Sequence, residues 1–401
     1  MDETERREWR HFLKRLWLFI LPFLLILAGP LWIFYSSGEL TPLAKIIEKQ
    51  KNSSCPILVG FAYSNPAPYY KLTVVKSRRP EILALGASRI MQFREQLFTP
   101  TTTFFNAGGA INKLGSFRAF LEHLPMGYQP KVIIVGLEQV FFNAAWENLG
   151  IDVSDNQLEY FERPENIFMN EWKKSYLDFF KQKFTLKNIS SDTGKIFKIG
   201  LNARVNGGGF RNDGSYKYET ITKGPKQESN QNKHLPLGIE LANIGKFGLG
   251  HFLPATDINP TALVELDRFL DAAQKRDIQI IGFLPPYALS TYHQLVASKE
   301  LYSYLFKLPD ALQSVFKKYN FSFYNFSDPA SFGSSDDEMI DYLHGSEKTY
   351  LRLFIKMTET DPVLRKFTDP IFLKKRLLES TDNYQIFNDE LLSAQCQDMS
   401  T

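Results

Sequence analysis

The chain has 401 residues, room for one large domain or two ordinary ones, and its 44% hydrophobic and 23% charged content supplies a sizeable core and excludes wholesale disorder. Lysine and arginine number 47 against 44 aspartates and glutamates, a net charge of +3 that is too balanced for a nucleic-acid-binding chain. Aromatics are high at 14%, with 34 Phe, which fits a Phe-rich core more often than a sugar groove.

The first element is apolar. Leu16 to Tyr35 (LWLFILPFLLILAGPLWIFY) carries no charge and has the length of a bilayer-spanning helix. Arg6, Arg7, Arg10, Lys14 and Arg15 precede it, and Ser36-Ser37-Gly38-Glu39 follows without a basic residue. The positive-inside tendency makes residues 1–15 a cytoplasmic tail, residues 16–35 a transmembrane anchor and the remainder extracytoplasmic. No A-x-A-like site follows, so an uncleaved anchor is expected over a signal peptide. The two cysteines, Cys55 and Cys396, lie in no metal-ligand pattern; in an exported domain they form one disulfide or remain two unpaired thiols.

Residues 36–75, with Pro56, Pro66 and Pro68 and no long periodic segment, read as a stalk. Strand-length apolar runs then recur at Ile82–Leu85, Thr103–Asn106, Lys131–Val135, Gln279–Leu284 and Ser322–Phe326. Those at Val132 to Val135 and Gln279 to Leu284 show no clean alternation, as expected of strands buried on both faces of a parallel sheet. Helical segments are predicted between them at Met91–Phe98, Ser116–His123, Pro260–Arg276 and Lys299–Tyr319; in the third, Leu263, Leu266, Phe269, Leu270 and Ala273 share a face. Alternation of strand and helix predicts an α/β fold with crossover connections. An insertion, residues 145–256, separates the third and fourth strands. Its Gly-, Asn- and Lys-rich part, residues 201–233, reads as mobile loops over the crevice, a candidate lid or partner surface, or else as a plain surface excursion. Residues 367–401 form a C-terminal extension.

Ser88 stands just past the first strand, in EILALGASRIMQF, where its hydroxyl faces the crevice and nearby main-chain N–H groups can meet a developing anion. A serine nucleophile needs a base and an orienting carboxylate. Of the six histidines, His11, His123, His234, His251 and His293 lie before the anchor, at a helix end, in the insertion or after a Pro-Pro turn. His344 instead follows the last strand, in SDDEMIDYLHGSEKTY, with Asp341 three residues before it. That spacing lets the carboxylate reach Nδ1–H while Nε2 faces outward.

A serine after the first strand and Asp-x-x-His after the last resemble the SGNH (GDSL-like) hydrolase superfamily over roughly residues 80–350, the insertion aside. Gly86-Ala87-Ser88 stands at its serine block, Phe105-Asn106-Ala107-Gly108-Gly109 looks like its second block, and Gly136-Leu137-Glu138-Gln139 aligns with its third. The resemblance implies a three-layer sandwich around a central parallel sheet of about five strands (SGNH/flavodoxin-like), spanning residues 76–366. It also implies catalysis by Ser88, His344 and Asp341, second-block oxyanion donors among Asn106, Gly108 and Gly109, and no metal or other cofactor. Two departures stand out: Glu138 replaces the third block's Asn, and the later glycine near Ile111 is missing. An ionised carboxylate repels an oxyanion, so Glu138 is protonated or binds something else, or Asn143 or a backbone amide supplies the donor. The anchor, the G-A-S-R block with Arg89 and the terminal Asp-x-x-His resemble the membrane-anchored proteins of bacterial surface-polymer acylation, including those of alginate acetylation and lipoteichoic-acid D-alanylation. By that resemblance Arg89 steers an anionic substrate or pins the turn, and a multi-pass membrane O-acyltransferase is the expected partner.

Two functions follow as expectations. One is a membrane-anchored, exported serine esterase or O-acyltransferase acting on a cell-surface glycan. The other is a catalytically degraded module of the same fold that binds glycan or scaffolds the acyltransferase. A phosphate- or nucleotide-binding protein is disfavoured, because no G-x-x-x-x-G-K-[ST] or G-x-G-x-x-G follows any strand. With the expected topology, protease added outside intact spheroplasts should digest the domain and spare only a short N-terminal fragment; full protection would overturn the export expectation.

Overall fold

A computed structural model of the protein describes residues 3–53, 55–146, 161, 169–190, 196–218 and 250–389. In chain order the elements are α1 (Glu3–Ser37), α2 (Leu43–Asn52), β1 (Ile57–Val59), α3 (Ala67–Arg78), β2 (Ile82–Gly86), β3 (Phe104–Gly108), α4 (Gly115–Glu122), β4 (Val132–Gly136), α5 (Met169–Phe180), α6 (Leu186–Ser190), β5 (Phe197–Ile199), α7 (Leu201–Val205), β6 (Gly209–Phe210), β7 (Tyr216–Lys217), α8 (Pro260–Gln274), β8 (Gln279–Leu284), α9 (Leu289–Ala297), α10 (Ser303–Lys318), β9 (Ser322–Asn325), α11 (Glu347–Thr360), α12 (Pro362–Arg365) and α13 (Pro370–Glu379).

The five predicted apolar runs form one parallel sheet, in the order β3-β2-β4-β8-β9. The chain is therefore α/β. Side chains alternate between two cores. Leu83, Leu85, Ile133, Val135 and Ile280 face one side, where they pack with Phe120 of α4, Phe269 of α8 and Phe316 of α10. Ile82, Ala84, Ile134, Ile281 and Phe283 face the other, against Leu351 and Phe354 of α11 and Leu373 of α13. This double burial is why the strand sequences lack alternation. Gly282 of β8 lets the ring of Phe316 lie on the strand, since a Cβ there would come 2.2 Å from Phe316 Cζ. Sheet growth reverses direction between β2 and β4. In such sheets the crevice beyond the carboxyl ends of those strands is the usual ligand site.

Three expectations are corrected. The segment 36–75 is not a stalk: Ile46 and Ile47 of α2, β1, and Tyr70, Val74 and Val75 of α3 are buried in the first core. The helix expected at Met91–Phe98 is replaced by two short 3-10 turns, Ser88–Ile90 and Glu95–Leu97. The Asn106 amide takes the carbonyls of Ile90 and Phe93, which a helix would need, and Arg94 is extended so that its side chain enters a buried ion cluster. Residues 201–218 are not mobile loops either. They form α7, β6 and β7, and β1, β5, β6 and β7 make a second, mixed sheet in the order β5-β1-β6-β7. The Asn106 N–H donates to Asp213 O, and buried Lys71 donates to Asn106 O at 2.9 Å and to Gly214 O. Residues 219–233 of that expectation lie outside the described residues.

α1 is bent by 45° at Leu25. Among the described residues no single straight helix is long and apolar enough to cross a membrane, and the pair Glu3–Leu24 and Ile26–Ser37 passes by length and composition only together. Pro30 lacks the N–H that would hold Ile26 O, which explains a bend at this place. Ile33 and Phe34, inside the expected span, are buried with Tyr63, Phe184, Ile189 and Leu201, so the last turns of α1 belong to the domain. Cys55 is disulfide-bonded, and Cys396 lies outside the described residues.

The ion cluster fastens the C-terminal extension. Arg94 meets Asp213 at 3.0 Å, Glu347 at 2.5 Å and Asp389 at 2.8 Å, and Arg211 meets Glu347 at 3.0 Å and Asp389 at 2.8 Å. Burial alone would raise the Asp389 carboxyl, but the two guanidiniums hold it well below the usual carboxylate range. A carboxyl depressed on folding stabilises above its unfolded value of about 3.9 and loses that contribution as pH falls towards the folded value. Asp389→Asn should therefore cost about 3–5 kcal/mol at neutral pH, by leaving buried arginines short of a partner. The gap from wild type should narrow in acid, as measured by denaturant unfolding at neutral and acid pH; a gap independent of pH would refute this.

Candidate active site

Ser88 opens the turn after β2. Its Oγ lies 2.8 Å from His344 Nε2, although the two residues are far apart in sequence. His344 Nδ1 lies 2.8 Å from Asp341 Oδ2 and 3.0 Å from Oδ1. A carboxylate only accepts, so Nδ1 carries the proton and Nε2 is free to accept from the serine hydroxyl. Burial would raise the Asp341 carboxyl, yet the imidazole and the main-chain N–H groups of Leu343 and His344, each 2.7 Å from Oδ1, hold it below its ordinary value. The carboxylate thus folds its own loop and orients the ring. That loop is closed by the Met339–Gly345 bridge and by the Ile340 N–H on His344 O at 2.7 Å.

Arg89 sets the distance between the serine turn and the histidine loop. It is buried, and all five guanidinium N–H groups are used. Nε donates to Leu343 O at 3.1 Å, Nη1 to Gln139 Oε1 at 2.6 Å and Glu138 Oε2 at 3.4 Å, and Nη2 to Pro285 O at 2.8 Å and Pro286 O at 2.7 Å. Its plane lies over the Tyr287 ring at 4.7 Å. Of the two expected roles the structure has the second, pinning the turn. With no donor left, Arg89 is not a contact for an anionic substrate.

The second-block residues are also committed to structure. Gly108 N–H donates to Asn106 Oδ1 at 2.7 Å, Gly109 N–H to Gly86 O at 3.0 Å and Ala87 O at 3.1 Å, and the Asn106 amide to Ile90 and Phe93. They hold the serine turn and are not free oxyanion donors. The Asn143 amide is spent on Leu253 O at 2.8 Å, and Asn143 does not line the cleft. Among the described residues, the Ser88 main-chain N–H has no acceptor, so it is a donor available to an oxyanion.

Ser88 and His344 open into a cleft of about 760 Å³. Its wall includes Met91, Glu138, Phe141, Trp146, Tyr216, Tyr218 and His251. Glu138 is 2% exposed; Oε2 meets Arg89, while Oε1 has no partner among the described residues. Tyr218 lies against His344, ring centres 5.8 Å apart, and burial and the Asp341 charge push its phenol well above the usual value. His251 packs on Trp146 at 5.0 Å, and burial lowers its imidazole, with Arg89 and His344 adding to the effect against the pull of Glu138 and Asp341. It is therefore neutral near pH 7. Nothing local in the sequence marks Tyr218 or His251 as cleft residues; only the folding of the insertion's ends brings them here. Among the described residues no group of three or more His, Cys, Asp or Glu side chains could hold a metal ion.

No known family model matches this chain, and no curated protein or solved structure does either.

Arg89→Lys, which keeps the charge but cannot reach five acceptors in a plane, should shift the Leu343–His344 segment relative to Ser88. A misplacement of about 1 Å can cost about 10²-fold in rate. Ester turnover by the variant should fall by about that factor with little change in KM; full activity would show that the guanidinium does not position the relay.

Proposed function

We propose that this chain is a membrane-anchored, exported serine esterase or O-acyltransferase acting on acyl groups of a cell-surface glycan, and that its fold is an SGNH-like three-layer sandwich. The observation that carries the reading is the continuous relay from Ser88 Oγ through His344 to Asp341 at the mouth of a cleft. Ser88 attacks the acyl carbonyl and its proton passes to His344 Nε2. The departing oxygen takes that proton and leaves an acyl-Ser88 ester. A glycan hydroxyl or water then gives its proton to His344, attacks the ester and returns Ser88 to its resting form. The Ser88 main-chain N–H stabilises the oxyanion, and Tyr218 and Trp146 offer faces for a sugar ring. The reading calls for no metal or other cofactor.

The membrane part rests on the apolar exposed face of α1 and on the basic residues before it. It places the chain in the cell membrane, single-pass, N-terminus inside, beside a multi-pass O-acyltransferase that supplies acyl groups. The rival reading, a degraded module that binds glycan or scaffolds that partner, is favoured by the committed amides of Asn106, Gly108 and Gly109.

Ser88→Ala should abolish turnover of a small activated ester and lower the acyl content of a surface glycan at unchanged protein level. Asp341→Asn should leave a trace, with losses of about 10⁴-fold as in other serine triads. Glu138→Asn leaves the buried Arg89 guanidinium without its compensating carboxylate, so hydrolysis should fall; if Oε1 also orients an acceptor hydroxyl, transfer to an added sugar should fall further than hydrolysis does. Wild-type acylation in the Ser88→Ala strain would refute the enzyme and leave the binding module.

A further inference from the structure

The join between α1 and the domain carries a surface with a function of its own. Pro30 leaves Ile26 O without its helical partner, and the hydroxyl of Tyr176 on α5 donates to it. Gly29 makes the room, since a Cβ there would lie 2.8 Å from the Tyr176 oxygen. Phe34 meets Trp172 edge-on at 5.7 Å. Trp172 thus contacts the end of α1 and Tyr176 its middle, so α5 runs antiparallel to α1. One turn on, Phe180 stacks on Tyr176, ring centres 6.3 Å apart and planes 17° apart. Phe180 is 74% exposed, and Leu177 and Leu186 are exposed with it. Lys173 and Lys181 flank them, also exposed.

We propose that this face of α5 and α6 is a collar that seats the domain on the lipid surface: Leu177, Phe180 and Leu186 enter the acyl boundary, and Lys173 and Lys181 meet anionic headgroups. The inference rests on the proposed anchoring by α1 and is independent of the Ser88 chemistry. The exposed apolar side chains of α1 from Trp9 to Leu27 include Ile26, whose carbonyl Tyr176 holds. Tyr176 is bonded to the backbone at Ile26, just before α1 becomes buried against the domain at Pro30, Ile33 and Phe34, so a bilayer that takes up the exposed part of α1 has its boundary beside α5. An apolar face edged with lysines is the composition that settles at the boundary between headgroups and acyl chains. The domain then stands directly on the membrane, with no stalk.

The test uses the full chain in vesicles of phosphatidylcholine with phosphatidylglycerol, carrying a nitroxide at Phe180→Cys or Leu186→Cys. Phe19→Cys on α1 reports anchoring, and Met126→Cys, at a side chain 99% exposed, reports water. Collision with oxygen relative to a water-soluble nickel chelate should be several-fold higher at 180 and 186 than at 126, and lower in vesicles of phosphatidylcholine alone. A water-like ratio at 180 and 186 with Phe19→Cys in lipid would overturn the collar and spare the anchor. Water-like ratios at all sites would overturn both. Shielding of 180 and 186 from both reagents would assign the face to a second copy of the chain, and immersion unaffected by lipid charge would overturn the role of the lysines.

Discussion

The site depends on one buried guanidinium. Arg89 follows the serine and spends its five N–H groups on the loops after β4 and β8 and on the histidine loop. Each of those loops leaves the sheet at its carboxyl edge, and Arg89 is the side chain that bonds all three. A planar, permanently charged fork that bonds main-chain carbonyls on separate loops sets their relative places more tightly than packing would. The 2.8 Å approach of Ser88 to His344 is a result of that arrangement. A buried cation also needs compensation, and Glu138 is the carboxylate that supplies it. The charge that looks misplaced beside an oxyanion is thus half of the ion pair that assembles the site.

The same economy appears around Asn106. A side chain that resembles a catalytic donor is instead a brace for the serine turn, and the glycine amides after it close the turn from the other side. The serine is well held and the anion well is thin, with the Ser88 N–H a donor that has no acceptor among the described residues. Glu138 Oε1 sits in the same cleft without a partner among the described residues. A site of this kind stabilises an oxyanion weakly and leaves a carboxylate oxygen able to accept from a hydroxyl donor.

The sheet and the relay were legible in the sequence, and the reasons differ. Ile82–Leu85 and Gln279–Leu284 are buried on both faces, so burial shows as unbroken apolar runs. Asp341 and His344 are local neighbours on one loop, so their spacing alone brings the carboxylate to the ring. Met91–Phe98 misled because its composition suits a helix while a side chain from another strand, Asn106, takes the carbonyls that a helix needs. β1, β5, β6 and β7 were hidden because strands of two or three residues carry no periodicity; they exist only by pairing with one another in the mixed sheet, and α3 is buried on most sides and so shows no single apolar stripe.

By itself the sequence determined the α/β class, the order of the five parallel strands along the chain, the apolar helix at the start and the three residues of the relay. Each of these is written in local composition or short spacing. The tertiary structure alone decided that Arg89 is a clamp and not a substrate contact, that Asn106, Gly108, Gly109 and Asn143 are spent on structure, and that Tyr218 and His251 line the cleft that holds the serine. It also decided that the last turns of α1 are domain core. These depend on which distant hydrogen-bond partners each polar group finds once the chain is packed, and a linear order of residues does not contain that information.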